Sequence, residues 1–311
     1  MTLTDKESDM DRRGFLECMA WAGSGVVWSM AGGVATSSVL GAPSRAAAAA
    51  GAFTFAQISD THVGYKGAAN PDALVTLQQS IARINALDPA PALVIHTGDL
   101  THGQKAGAFD AVAETMKALR AGDVFYVPGE HDVFVDGGTE FLARYGKGTI
   151  GKGWRSFDYK GVHFAGLVNV LSYKGEGMGA LGAEQLTWLE RDLTPLSAST
   201  PVIVYAHVPL WTVYPQWGWV TEDGEQALAL LRRFGSVTVL NGHIHQIVQK
   251  VEGSIAFHTA RSTAFPQPAP GTAPSPGPLK VDHVARMLGI REVRYVERPG
   301  PLAVVDTALE G

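Results

Sequence analysis

Short runs of β-branched and aliphatic residues alternate with longer amphipathic stretches along this chain. The runs fall at residues 53–59, 93–96, 124–127, 202–206 and 237–240. Each is too short for a stable helix and apolar enough for a strand buried on both faces. Between them, 72–87 carries Leu74, Leu77, Ile81 and Ile84 at helical spacing, and 108–119, 183–193 and 224–234 show the same rhythm. This alternation predicts parallel βαβ units. Two hairpins interrupt it, one joining 154–159 to 162–168 around Lys160-Gly161, the other joining 247–251 to 254–258 around Glu252-Gly253. Further strand is expected at 293–296 and 302–305. Parallel units followed by antiparallel ribbons predict an α/β fold of two mixed sheets packed face to face, with helices outside.

The chemistry sits where the apolar runs stop. Asp60-x-His62 follows the first, Gly98-Asp99 the second, Gly129-Glu130-His131-Asp132 the third, His207 the fourth and Gly242-His243-Ile244-His245 the last. Each cluster therefore lies at the C-terminal end of a buried strand, where open α/β sheets collect their active sites. Carboxylates and imidazoles together suit borderline cations such as iron, manganese, zinc or cobalt.

In this order, the clusters resemble the calcineurin-like metallophosphoesterase family, whose pattern is D-x-H, G-D, G-N-H-D/E, H and G-H-x-H. The resemblance runs from about residue 53 to 259 and implies a four-layer α-β-β-α sandwich. It also implies two metal ions, for which the donor types admit iron with manganese, zinc or a second iron. Asp60, His62 and His245 would hold the first, Asp99 would bridge, and Glu130, His207 and His243 would hold the second. A hydroxide between the metals would attack phosphorus in line, on either a phosphomonoester or a phosphodiester. His131 would protonate the leaving oxygen or bind the phosphate, and Asp132 would orient His131 and raise its pKa.

One position departs from the pattern. Glu130 stands where the family has asparagine, adding a full negative charge and a methylene. Two divalent ions, a hydroxide and three carboxylates sum to neutrality, whereas a trivalent–divalent pair restores one positive charge. Three consequences stay open: a bias towards an iron(III)-containing pair, simple tolerance, or a side chain that turns away and weakens the second site. The last leaves an alternative function, a metal-binding protein of this fold that has lost hydrolysis. The same cage serving another class of ester is a further rival.

Other candidates carry less. His96, His163 and His258 read as core histidines, and His102, three residues after Asp99, falls at the rim outside the predicted site. Trp211, Tyr214, Trp217 and Trp219 either pack a long loop onto the body or roof the cleft, where they would stack on a nucleobase or aryl group. Tyr65 and Lys66 lie where they could meet a substrate phosphate.

The beginning of the chain reads as a processing segment. Asp11-Arg12-Arg13-Gly14-Phe15-Leu16 resembles a twin-arginine export motif, followed by a moderately apolar stretch at 19–40 and small residues through 46–50. A cleaved signal at 1–50 and a single domain at 51–311 are expected, with periplasmic or other extracytoplasmic localisation. The twin-arginine machinery is then a transient partner, and no stable membrane association is expected. Cys18, the one cysteine, lies in the signal, so disulfides have no part. Formal charge is −5, or about −4 without the signal's four basic and five acidic residues. A mildly acidic surface argues against nucleic acid and favours a small phosphate ester as substrate. The proline-rich stretch 265–278 reads as a long surface loop.

Overall fold

The computed structural model describes residues 26–31, 34–39, 52–173, 178–296 and 302–310. In the first fifty residues the described segments are β1 (Val26–Ala31) and β2 (Val34–Val39), paired antiparallel. The twin-arginine motif, Cys18 and the expected cleavage region lie outside the described residues. No helix among the described residues is long and apolar enough to cross a membrane.

The second compact unit, from residue 50 onward, carries the sandwich. Its first half runs β3 (Phe53–Ile58), α1 (Ala73–Asn85), β4 (Leu93–His96), α2 (Ala108–Met116), β5 (Asp123–Tyr126) and α3 (Thr139–Tyr145). Then come β6 (Arg155–Tyr159), β7 (Val162–Gly166), β8 (Met178–Gly179), α4 (Ala183–Leu193), β9 (Val202–Tyr205), β10 (Val220–Thr221) and α5 (Gly224–Leu231). The chain ends with β11 (Val237–Asn241), β12 (Gln249–Glu252), β13 (Ile255–Thr259), β14 (Gly289–Tyr295) and β15 (Ala303–Ala308). One sheet has the order β15-β14-β3-β4-β5 and the other β12-β13-β11-β9-β7-β6. In the six-stranded sheet a parallel centre is flanked by antiparallel edge strands, whereas in the five-stranded sheet the parallel strands β3, β4 and β5 reach one edge and antiparallel β14 and β15 lie on the other side.

Strand alternation builds the layers. Phe53 and Phe55 of β3 face the other sheet and meet Phe164, Ile203 and Tyr205 in the central core. Ala56 and Ile58, on the opposite face, pack with Leu77, Ile81 and Ile84 of α1. Val202 and Val204 of β9 likewise turn outward onto Leu189 of α4 and Leu228 of α5. Phe55 and Phe164 meet edge to face at 5.6 Å, and burying each ring contributes roughly 1.5–3 kcal/mol. The two mixed sheets with helices outside match the expected fold class.

The first hairpin turns at Lys160-Gly161, with φ of 45° and 77°, the left-handed pair that a two-residue type I′ turn requires. The second turns at residues 253–254, one residue later than the sequence suggests. Strand β14 starts earlier than expected because charges interrupt its apolar run. Arg291 is buried nonetheless, held bidentately by Asp306 of β15 at 2.9 Å through both contacts. It also donates to the Thr259 carbonyl of the facing sheet at 2.8 Å, tying the two layers together. Helix α3 was hidden by its brevity: Phe141 is its one buried residue.

Candidate metal centre

The loops leaving β3, β4, β5, β9 and β11 converge at one edge of the sandwich. Their turns are tight, and the ligand candidates themselves absorb the bend: Asp60, His62, Asp99, His243 and His245 all have φ between 39° and 70°. L-residues seldom adopt that left-handed conformation, and it concentrates at functional sites. The flanking glycines answer to close approach. A Cβ on Gly98, whose φ is 96°, would lie 2.5 Å from His207 Nδ1. One on Gly242 would lie 2.6 Å from Asp60 Oδ2.

Two triads result. Asp60, His62 and His245 bring ligand atoms within 4.8 Å of one another, and so do Glu130, His207 and His243. In the first, His245 Nε2 lies 3.2 Å from both Asp60 Oδ1 and His62 Nε2. In the second, Glu130 places Oε2 2.8 Å from His207 Nε2 and Oε1 3.0 Å from His243 Nδ1. Asp99 stands between them, its Oδ2 3.5 Å from His62 Nε2 and 3.4 Å from His207 Nε2. All seven side chains are buried.

These donors fit cations better than they fit one another. Glu130 Oε2, His207 Nε2 and both ring nitrogens of His243 are buried without a hydrogen-bond partner. Protein interiors seldom tolerate that, so the close approaches mark atoms aimed at a common point between them. The far sides of the rings are held: His207 Nδ1 meets the Thr97 carbonyl at 2.7 Å and His245 Nδ1 the Phe265 carbonyl at 2.6 Å. Such bonds fix a metal-ligating imidazole in its tautomer.

Electrostatics point the same way. Burial, then the neighbouring Glu130 carboxylate, pushes the Asp99 pKa well above its ordinary value. Burial also opposes ionisation of Asp60 and Glu130, yet facing imidazoles outweigh it. His245 and then His207 hold Asp60 near 2, and His243 and His207 hold Glu130 well below its usual range. Burial lowers the His207 pKa, but Asp99 and Glu130 overturn that and raise it well above normal. Three crowded carboxylates ask for positive charge.

The profile described as calcineurin-like phosphoesterase matches residues 53–247. The chain belongs to this family. A relative named probable glycerophosphodiester phosphodiesterase GpdQ, from Arcobacter nitrofigilis, is 32% identical over 66% of this chain and 77% of its own length. A probable cyclic nucleotide phosphodiesterase of Rhodopseudomonas palustris is 26% identical over 68% and 78%. Among solved structures, a dimetal phosphatase from Danio rerio matches with a TM-score of 0.61 at 15% identity, covering 82% of this chain and 98% of that one. That likeness concerns the fold. The protein is a metal-dependent phosphoesterase.

In this phosphoesterase, Asp132 differs from its expected part. Its carboxylate accepts the backbone N–H groups of Leu100, Thr101 and Gly129 at 2.8–3.1 Å, and the Thr101 hydroxyl at 3.1 Å. It staples the loop after β4 to the loop after β5 and makes no hydrogen bond to the His131 ring. Burial raises its pKa to about 6 against those backbone donors. The His131 pKa is lowered, chiefly by burial, rather than raised by Asp132. His131 is instead placed through its backbone N–H, which donates to Asp99 Oδ1 at 2.9 Å.

His102 enters the site that the sequence kept it out of. Its Nδ1 lies 3.2 Å from His62 Nδ1, and its ring stacks on His131 at 4.9 Å. Lys66 turns away to Asp72 at 2.9 Å, and Tyr65 packs on Phe265. The tryptophans are buried: Trp211 joins the core of the second sheet, while Trp217 and Trp219 cover Ile244 between His243 and His245. Trp217 also lines the cleft, a cavity of about 590 Å³. The proline-rich loop forms its other wall. Phe265 stacks on His62 at 4.7 Å, and Gln267 Nε2 donates to the His243 carbonyl at 2.9 Å. No composition signal marks that duty beyond proline itself.

Proposed function

We propose that this phosphoesterase hydrolyses small phosphoric diesters with two cations, one held by Asp60, His62 and His245, the other by Glu130, His207 and His243, and Asp99 shared. One observation carries the diester preference: the described residues lining the cleft include no lysine or arginine. A monoester dianion brings an extra negative charge that no lysine or arginine among these described wall residues would meet, whereas a diester brings one charge in all. The names of the relatives from Arcobacter nitrofigilis and Rhodopseudomonas palustris point the same way.

Bound cations would supply Lewis acidity at the phosphoryl oxygens and an ionised water as nucleophile. The chain does the rest. His131, anchored through its backbone to Asp99, sets its ring 4.8 Å from that of His62, where it can hydrogen-bond a phosphoryl oxygen or protonate the departing alkoxide. His102, stacked on it, limits the ring's rotation. Phe265 and Trp217 exclude water from opposite walls and offer apolar surface to the ester's alcohol groups.

The test is a comparison of bis-p-nitrophenyl phosphate with p-nitrophenyl phosphate after reconstitution with iron, manganese or zinc. The diester is expected to show kcat/KM at least about tenfold higher. Equal rates, or a monoester preference, would overturn the diester reading. Two bound metals with no turnover of any ester would favour the binding-protein alternative.

The twin-arginine motif supports export as part of this reading, with processing near residue 50. Fractionation of a twin-arginine-deficient host against its parent tests it. Equal periplasmic yield from both strains would overturn it.

A further inference from the structure

We infer that Glu130 drives filling of the second half of the metal cage, so that both cations bind together instead of one tightly and one on demand. This rests on the two-cation reading proposed above. Glu130 supplies the second triad with a private carboxylate, as Asp60 does for the first. Each half then offers two imidazoles and one carboxylate, with Asp99 common to both.

Three carboxylates still leave one net negative charge after a first divalent cation is bound. With asparagine at residue 130, the half-filled cage would be neutral. A second cation entering a buried, neutral cage meets no net long-range attraction and must give up its water for uncharged donors and a carboxylate, Asp99, already shared with the first cation. Entering an anionic cage, it gains a unit charge at contact distance, worth well over a factor of ten in affinity.

The geometry shows that the side chain is in place to act. Glu130 does not turn away: both of its oxygens face the second triad's imidazoles, at 2.8 and 3.0 Å. Oε2 is buried and lacks a hydrogen-bond partner, so its lone pairs are available. The backbone behind it is fixed by the Asp132 carboxylate, which binds the Gly129 N–H at 3.1 Å, and by the Val133 N–H, which donates to the Glu130 carbonyl at 3.1 Å.

Calorimetric titration of metal-stripped full-length protein with manganese(II), paired with metal retained after gel filtration, tests this directly. Wild type is expected to take up two equivalents whose affinities lie within about tenfold of each other. Glu130→Gln, nearly isosteric and neutral, is expected to weaken the second equivalent by about thirtyfold or more and the first by less than about fivefold. Glu130→Asn, shorter as well as neutral, should show the same split, which guards against a folding defect peculiar to one variant. Two equivalents in Glu130→Gln with unchanged affinities would overturn the inference, as would a wild-type second equivalent more than a hundredfold weaker than the first. Fewer than two equivalents in wild type would instead sink the two-cation reading itself.

Discussion

The six-stranded sheet has two ends, and each buries histidine for an opposite purpose. At the C-terminal ends of β9 and β11, His207 Nε2 and both His243 nitrogens have no hydrogen-bond partner. Near the start of β7, His163 has both satisfied: Nδ1 lies 2.8 Å from Asp158 Oδ1 and Nε2 2.9 Å from Asp192 Oδ2. Ionised carboxylates only accept, so both ring nitrogens of His163 carry protons and the ring is a paired cation. Burial alone does not separate a structural histidine from a ligand. What separates them is whether the fold supplies partners for both nitrogens or leaves one aimed at an absent charge.

Substitutions at the two ends should therefore fail in opposite ways. The largest effect belongs to Asp99→Asn, which removes the charge shared by both triads. Metal content is expected to fall below one per chain and kcat/KM by about a thousandfold. The metal-free variant should melt no lower than metal-free wild type, because the lost carboxylate is buried beside Glu130. A large drop in Tm with metal retained would make Asp99 structural and erase the contrast.

Gly242→Ala ranks next. Its Cβ would press on Asp60 Oδ2 and on Ser59, so Asp60 must move or the turn must open. Metal affinity is expected to fall about ten- to a hundredfold, with stability lower by about 1–3 kcal/mol. Unchanged metal binding would show that the loop gives way without disturbing the triad.

His163→Gln supplies the converse: stability lower by about 1–2 kcal/mol at pH 6, with metal content and kcat unchanged. Its pH dependence has a definite sign. Burial lowers the His163 pKa, but Asp192 and Asp158 more than offset it, leaving the folded value above normal. The stabilisation is thus complete below the unfolded value of about 6.5 and fades as pH rises through the folded value. The Tm gap between wild type and variant should narrow from pH 6 to pH 9. A gap that widens would assign the contact to a neutral ring.

Asp72→Ala is the smallest. The side chain caps α1 by accepting the Leu74 N–H at 3.1 Å, and its loss should cost about 1 kcal/mol without touching activity.

Much of this contrast is legible in the sequence, for a physical reason. Ligands at strand ends must follow apolar runs, and the glycines beside them are forced by close approach, so chemistry and fold share the same short words. What stays hidden depends on contacts that carry no local pattern. Asp132 reads as a catalytic partner because it adjoins His131, yet its carboxylate serves backbone more than thirty residues away at Leu100 and Thr101. The wall at 265–278 works through the Phe265 carbonyl and a glutamine amide, groups that leave no motif. His102 joins the site through the curl of the loop after β4, where Gly103 and Gln104 both have positive φ.

Anomalous diffraction from crystals of the manganese-loaded protein would locate the cations themselves. Two peaks are expected, one within each triad, flanking Asp99 Oδ2, with Glu130 directed at the second. A single peak, or Glu130 turned out of the cage with its triad empty, would contradict the account.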